Sequence, residues 1–224
     1  MGYHIIIKSN ECINRYYIEN LDQLYDIEGI DKNSIIYQAE ETWKPYLISE
    51  VDQYQKYIDR SFRIGVKAEK LFEKYADESN LILEKIDQSK KSLVKYIKQS
   101  NGKPVKRGDF LVRGYEVEKL VEIEVKARKF IIDKDIGLCF GLDYTEFKRL
   151  ENMMNTTKNL IVFSVYQVIN DEILSEVPYF ISLHEIKSLN KENELKYISD
   201  GKFILIPIKH CSLGIDGINK YIKN

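Results

Sequence analysis

Two stretches of sequence decide the fold: KRGDFLVR at residues 106–113 and KLVEIEVKAR at residues 119–128. Successive side chains of a β-strand point to opposite faces of its sheet, so the alternation in the second stretch predicts one apolar face and one charged face. The charged face carries Glu122, Glu124 and Lys126. The first stretch predicts the preceding strand of a hairpin, which begins at Asp109.

Asp109, Glu124 and Lys126 are expected to converge at one edge of this predicted sheet. Glu124 and Lys126 share a face and lie about 7 Å apart along the strand at Cα. Two carboxylates beside an ammonium group form a site of the kind that Mg²⁺ prefers, and the lysine can polarise an attacking water. The alternative is an ordinary solvated face of an edge strand, with Glu122, Glu124 and Lys126 pointing to water.

The tripeptide Glu-x-Lys alone does not select the site, because it begins at four positions in the chain: Glu124, Glu146, Glu185 and Glu194. Glu146 and Glu185 lie in helical patterns, and Glu194 lies in a polar loop. Glu124 differs because it sits in an alternating strand, fifteen residues after an Asp that opens another strand. The context therefore favours Glu124 and Lys126.

This arrangement resembles the PD-(D/E)XK nuclease superfamily, over roughly residues 60 to 183. That family has an Asp at the start of one core strand and Glu-x-Lys on the next, which Asp109, Glu124 and Lys126 match. Arg107-Gly108 stands before Asp109 in place of the family's nominal Pro, and no subfamily is indicated. The resemblance implies a restriction endonuclease-like core, which is a central mixed β-sheet flanked by helices.

The resemblance also implies the roles of these residues. Asp109, Glu124 and the backbone carbonyl of Val125 would hold Mg²⁺, for which Mn²⁺ can substitute, while Lys126 positions the nucleophilic water for phosphodiester hydrolysis. The family often has a further acid on the preceding helix, and Glu69 is the candidate here because it borders the apolar stripe of that helix. Competing candidates remain: Glu73, Glu78 and Glu84 for that acid, and Glu122 as a metal ligand.

The distribution of charge indicates where a nucleic acid would bind. The chain has 34 basic and 35 acidic residues, but residues 1–60 hold six basic against eleven acidic side chains, whereas residues 85–129 hold thirteen against six. The middle of the chain therefore carries +7 and the first quarter −5. A positive surplus around the site suits phosphate contacts. The predicted nucleic-acid-binding residues are Lys103, Lys106, Arg107, Arg113, Arg128, Lys129, Lys148 and Arg149.

The rest of the chain predicts a mixed α/β domain over residues 61–224 and an acidic N-terminal α/β elaboration over residues 1–60. Helical periodicity runs from about Asp52 to Asp77, and a further helix is expected after Asp143. Strands are predicted at residues 3–8, 34–38, 81–86, 160–168, 179–183 and 203–208, with a terminal helix at 215–222. Residues 21–29 are expected to be helical. The acidic elaboration is expected to face away from DNA, at a dimer or partner interface.

The function that these observations predict is a Mg²⁺-dependent DNA endonuclease, of restriction type or associated with defence. A homodimer is expected because a duplex has two strands and one chain offers one site; a partner subunit is also possible. The alternatives are a Holliday-junction resolvase or a recombination or transposition nuclease, and a non-catalytic nucleic-acid-binding or assembly subunit that retains the fold. RNA stays open as a substrate.

Other features limit the remaining classes of function. The longest strictly apolar stretch, residues 203–208, is far shorter than the roughly 20 residues that span a bilayer, so no membrane span is expected. The start of the chain lacks a basic leader, which predicts a cytoplasmic protein. Neither GxGxxG nor GxxxxGK[ST] occurs, so a nucleotide cofactor is not expected.

Overall fold

The computed structural model describes residues 3–8, 13–19, 23, 27, 35–38, 45–87, 90–114, 119–192, 194–199 and 201–223. The chain divides into two compact units, Met1–Phe62 and Arg63–Asn224. This division lies two residues from the one expected from the sequence.

The first unit contains a four-stranded antiparallel sheet in the order β2-β1-β3-β4. Its strands are β1 (Tyr3–Lys8), β2 (Ile13–Ile18), β3 (Ile35–Gln38) and β4 (Pro45–Leu47). The two strands predicted for this unit correspond to β1 and β3. The helix predicted at residues 21–29 lies almost wholly outside the described residues. Helix α1 (Ile48–Glu78) begins in this unit and continues into the second.

The second unit alternates strands and helices, as the sequence predicts. In chain order they are β5 (Leu81–Lys85), α2 (Lys90–Gln99), β6 (Phe110–Gly114), β7 (Val121–Arg128), β8 (Phe130–Asp133), β9 (Gly137–Asp143), α3 (Tyr144–Thr157), β10 (Leu160–Ile169), β11 (Glu172–Ile173), β12 (Tyr179–Ser182), α4 (Leu183–Lys191), β13 (Lys196–Ile198), β14 (Phe203–Pro207), a 3-10 turn at Ile208–His210, β15 (Ser212–Leu213) and α5 (Gly214–Ile222). The strand pair β8–β9 was not predicted.

The main sheet of this unit is mixed and places β7 at its centre. Its order is β15-β12-β10-β7-β6-β5, with β11 paired to β10. Strands β7 and β10 are parallel, and the other pairs along the order are antiparallel. A smaller antiparallel sheet has the order β13-β14-β9-β8. Strand β7 is therefore paired on both sides and is not an edge strand.

Helices cover both faces of the main sheet, which confirms the predicted fold class. On one face, Phe72 of α1 and Ile218 of α5 pack into a buried cluster with Ile123 of β7. On the other face, Leu150 of α3 and Ile186 of α4 pack with Phe163 of β10. Strand β7 is buried on both faces of the sheet, because every residue from 121 to 126 is buried.

Helix α3 begins where the sequence predicts. Asp143 is its N-cap, and Asp143 Oδ1 accepts a hydrogen bond of 2.8 Å from the Glu146 N–H, which satisfies one of the free donors of the first turn. The predicted core face, Phe147, Leu150 and Met154, is buried. The cap therefore defines the start of α3, and its buried residues follow at helical spacing.

No helix among the described residues combines the length and the apolar character that a bilayer-crossing segment requires.

We predict that Leu150→Ala destabilises the second unit by about 2–5 kcal/mol, because the buried side chain leaves a cavity between α3 and the main sheet. Thr145→Ala, at an exposed position of the same helix, should change the free energy of unfolding by less than about 0.5 kcal/mol. Urea unfolding followed by circular dichroism measures both. A cost below about 1 kcal/mol for Leu150→Ala would contradict this packing.

Candidate active site

The pairing of β6 with β7 brings Asp109 beside Glu124. In the antiparallel register Phe110 lies opposite Ile123, so Asp109, one residue earlier, lies opposite Glu124. The Asp109 N–H donates to the Ile123 carbonyl at 2.7 Å, and Asp109 Oδ2 accepts from the Val125 N–H, also at 2.7 Å. The Asp109 side chain thus accepts a backbone hydrogen bond from β7 just before the first residue of β6.

The alternation predicted for β7 is present, but its charged face is buried. Glu122 and Glu124 are at most 1% exposed, and Lys126 is 8% exposed. They point to the face covered by α3 and α4, where Glu124 lies in register with Phe163 of β10. The alternative of a solvated edge strand is therefore wrong, because β7 lies between β6 and β10 and a helical layer covers its charged face.

Glu122 serves the loop that carries Asp109. Its carboxylate accepts from Arg107 Nε at 3.1 and 3.2 Å and from the Gly108 N–H at 2.5 Å. Arg107 also donates to the Tyr96 hydroxyl at 2.8 Å. Only glycine fits at position 108, because a Cβ there would lie 2.6 Å from the Ile123 carbonyl oxygen. Glu122 is thus occupied by contacts that hold the loop, which leaves Glu124 as the carboxylate of β7 that lies opposite Asp109.

Three basic side chains, those of Lys126, Lys106 and Arg128, meet the carboxylates of Glu124 and Glu146. Lys126 Nζ donates to Glu124 Oε1 and, at 2.9 Å, to Glu146 Oε1. Lys106 Nζ donates to the same two oxygens, at 2.5 Å to Glu146. Arg128 Nη2 lies 3.9 Å from Glu146 Oε2. The site therefore contains Glu124 and Lys126 as a contacting pair, as the spacing predicts, together with Lys106, Glu146 and Arg128.

Sequence reasoning missed Glu146 as a site residue. Its tripeptide with Lys148 was set aside because the pattern was helical, and that helix is present as α3. The sequence does predict Asp143 as the N-cap of this helix, which makes Glu146 the third residue of its first turn. The missing information was the crossing of α3 over β7, which depends on the unpredicted strand β9 and the parallel pairing of β10 with β7.

The pKa values of these groups follow from burial and from their neighbours. Burial alone would raise the pKa of Glu146, but the charges of Lys126 and Lys106 outweigh it and lower that pKa to about 2. Burial would lower the pKa of Lys106, and the charges of Glu124 and Glu146 raise it instead. Both groups are therefore charged at neutral pH.

Asp109 has the opposite environment. Burial, followed by the nearby charge of Glu124, raises its pKa to about 6, although the Val125 N–H and the two lysines partly offset this. Glu124 Oε2 is buried and has no hydrogen-bond partner among the described residues. A buried carboxylate oxygen without a partner, beside a second carboxylate that is costly to ionise, suits a divalent cation.

These residues fit Mg²⁺, although the described residues contain no ready-made group of three or more His, Cys, Asp or Glu side chains. Mg²⁺ typically takes one or two carboxylates and fills its remaining positions with waters and substrate oxygens. The carbonyl of Val125 points to the same side of β7 as its N–H, which donates to Asp109. Asp109, Glu124 and the Val125 carbonyl would be the ligands.

Glu69 lies on α1, which packs against the opposite face of the main sheet from Glu124. Glu69 Oε2 accepts from Lys85 Nζ at 2.9 Å, and Lys85 in turn interacts with the charge of Asp109. Among the competitors, Glu73 lies 4.0 Å from Lys85 and Glu78 pairs with Lys74. Glu69 is therefore linked to Asp109 through Lys85, and its catalytic role stays a prediction.

The predicted nucleic-acid-binding residues divide into three groups. Arg107 is buried against Glu122 and Tyr96, so its guanidinium is not at the surface. Lys106 and Arg128 are partly buried in contact with Glu146. The remaining five are exposed and accessible to a phosphate backbone: Lys103, Arg113, Lys129, Lys148 and Arg149.

No family model matches the chain, and no curated protein matches its sequence. The solved structures that resemble it weakly include two nucleases. The Holliday junction resolvase Hjc of Archaeoglobus fulgidus is 12% identical over 70% of this chain and 95% of the resolvase, with a TM-score of 0.43. D212, a nuclease from a fusselovirus, is 12% identical over 81% of this chain and 95% of the nuclease, with a TM-score of 0.38. At these TM-scores the two structures do not indicate a function for this chain.

We predict that Asp109→Asn stabilises the protein in the absence of divalent cations. A pKa raised from 3.8 to about 6 means that the folded state binds the proton more tightly than the unfolded state. Ionisation of Asp109 thus removes stability as the pH rises from about 4 to 6. The substitution should gain about 2–3 kcal/mol at pH 7.5 and almost nothing at pH 4.

Urea unfolding in EDTA at a series of pH values measures this difference. The matched control is Asp135→Asn, at an exposed aspartate whose Oδ2 accepts from Lys196 at 2.7 Å. The control should change stability by less than about 1 kcal/mol. Destabilisation by Asp109→Asn at pH 7.5, or a gain that does not vary with pH, would contradict the assigned environment.

Proposed function

We propose that this chain is a metal-dependent nuclease of the PD-(D/E)XK type that hydrolyses phosphodiester bonds in DNA. The observation that carries the proposal is the convergence of Asp109, Glu124 and Lys126 where β6 begins beside β7. Glu124 Oε2 adds to it, because it is buried without a hydrogen-bond partner among the described residues, and most buried polar atoms have one.

Each residue would have a distinct part in the reaction. Asp109, Glu124 and the Val125 carbonyl would hold Mg²⁺, with Mn²⁺ able to replace it. A divalent ion in such a site stabilises the charge that develops on the phosphate and lowers the pKa of bound water. Lys126, fixed between Glu124 and Glu146, would orient the attacking water by donating a hydrogen bond.

The buried environment supports this arrangement. Electrostatic interactions are stronger where water is excluded, and Glu124 and Lys126 are both almost fully buried. Groups held in place by the fold need little reorganisation when the transition state forms. The exposed residues Lys103, Lys129 and Lys148 would bind phosphates on either side of the cut.

The proposal extends to the biological setting. Since one chain carries one such site and a duplex has two strands, we propose that a homodimer cuts DNA. The role is that of a cytoplasmic restriction-type or defence-associated endonuclease. Residues 1–60 have an acidic surplus that would repel DNA, so they would contact the second copy of the dimer or a partner subunit.

A plasmid nicking assay tests the function. Purified protein with Mg²⁺ should nick supercoiled plasmid, and Asp109→Asn and Lys126→Met should each lose at least about 100-fold of this activity because each removes a group at the reacting phosphate. Asp135→Asn should cleave as the unchanged protein does. Equal nicking by the unchanged protein and both site variants, or nicking that persists in EDTA, would contradict the proposal.

A further inference from the structure

The site contains a second lysine that no family motif supplies. The sequence predicted only flanking phosphate contacts for Lys106, yet its Nζ donates to the same two oxygens as that of Lys126, Glu124 Oε1 and Glu146 Oε1. Two ammonium groups from different elements therefore share one pair of carboxylate oxygens. Their mutual repulsion is offset by Glu146 as well as by Glu124.

The two lysines differ in their access to solvent. The side chain of Lys106 is 26% exposed and that of Glu146 is 23% exposed, whereas Lys126 is 9% exposed and Glu124 is 1% exposed. Lys106 and Glu146 thus form the outer side of the cluster, and Lys126 and Glu124 form the inner side. A phosphate that enters from solvent meets Lys106 before it meets Lys126.

The backbone holds Lys106 and Glu146 in a fixed relation. The Lys106 N–H donates to the Arg149 carbonyl of α3 at 3.2 Å. Glu146 lies in the first turn of the same helix, and its N–H is held by Asp143. The loop before β6 is therefore attached to the helix that carries Glu146. The side chains of Lys106 and Glu146 are thus held close together by the backbone before any substrate binds.

We propose that Lys106 is a second phosphate-contacting lysine of the site, and that Glu146 positions it together with Lys126. This inference rests on the proposed nuclease function. An ammonium group has three N–H donors, and the contacts of Lys106 with Glu124 and Glu146 use two of them. The third donor is available to an oxygen of the scissile phosphate, since the Lys106 side chain is partly exposed. Glu146 acts through the lysines and is a positioning residue.

The first test measures DNA affinity against salt concentration, which reports phosphate contacts without cleavage. In an Asp109→Asn background, Lys106→Met should reduce the slope of log Kd against log salt by about 0.9, the value for one lost contact with duplex phosphate. Lys106→Arg and Glu146→Gln should leave the slope unchanged. The matched control is Lys187→Met, since Lys187 pairs with Glu151 of α3 at 2.7 Å outside the site.

The second test measures single-turnover cleavage with protein in excess over DNA, so that affinity does not limit the rate. Lys106→Met should lower the rate about 100-fold or more, and Lys106→Arg should restore most of it because the charge returns. Glu146→Gln should lower the rate by about 10- to 100-fold, because both lysines lose the acceptor that aligns them. Lys187→Met should cleave normally.

The outcomes separate this inference from the nuclease function. An unchanged salt slope for Lys106→Met, or a rate within about threefold of the unchanged protein, overturns the inference while nicking that depends on Asp109 still supports the nuclease. Equal losses in Lys106→Met and Lys106→Arg, matched by a fall in melting temperature, assign Lys106 to the structure of its loop and also overturn it. If the unchanged protein cleaves nothing, the nuclease function fails and the salt slope alone decides whether Lys106 contacts phosphate.

Discussion

The pairing of the buried carboxyl group of Glu124 is the constraint on which the rest of the site depends. Glu124 lies on the central strand of the main sheet, and Lys126 and Lys106 both donate to its Oε1. Removing one partner of a buried ion pair typically costs about 3–5 kcal/mol. The other oxygen, Oε2, has no hydrogen-bond partner in the described part of the chain. Oε1 of Glu124 is therefore paired with two lysines of the protein, and Oε2 is available to a metal ion.

Much of the second unit serves to assemble this cluster. The parallel pairing of β7 with β10 requires a crossover, and that crossover contains α3 with Glu146 in its first turn. The contacts of Glu122 with Arg107 and Gly108 hold the loop from which Asp109 and Lys106 project. Adjacent carboxylates on β7 thus have separate uses: Glu122 fixes the loop, and Glu124 faces the candidate metal site.

The sequence predicted strands β6, β7 and β10. It also predicted that Glu124 and Lys126 lie together, because period-two alternation places both on one face whatever the rest of the chain does. It also predicted the cap of α3 at Asp143, which depends only on local chemistry. It did not predict that the charged face would be buried, since burial depends on which helix crosses the strand. For the same reason Glu146 was missed: its distance to Lys126 is set by tertiary contacts and not by spacing.

The central claim is that Asp109 and Glu124 hold a divalent cation, and isothermal titration of Mg²⁺ into the metal-free protein tests it most directly. We predict a binding isotherm that is lost in Glu124→Gln and unchanged in Glu151→Gln, a variant of the α3 glutamate that pairs with Lys148 and Lys187. Glu124→Gln must remain folded by circular dichroism for the comparison to hold. Mg²⁺ binding of equal affinity in the unchanged protein and in folded Glu124→Gln would contradict the account.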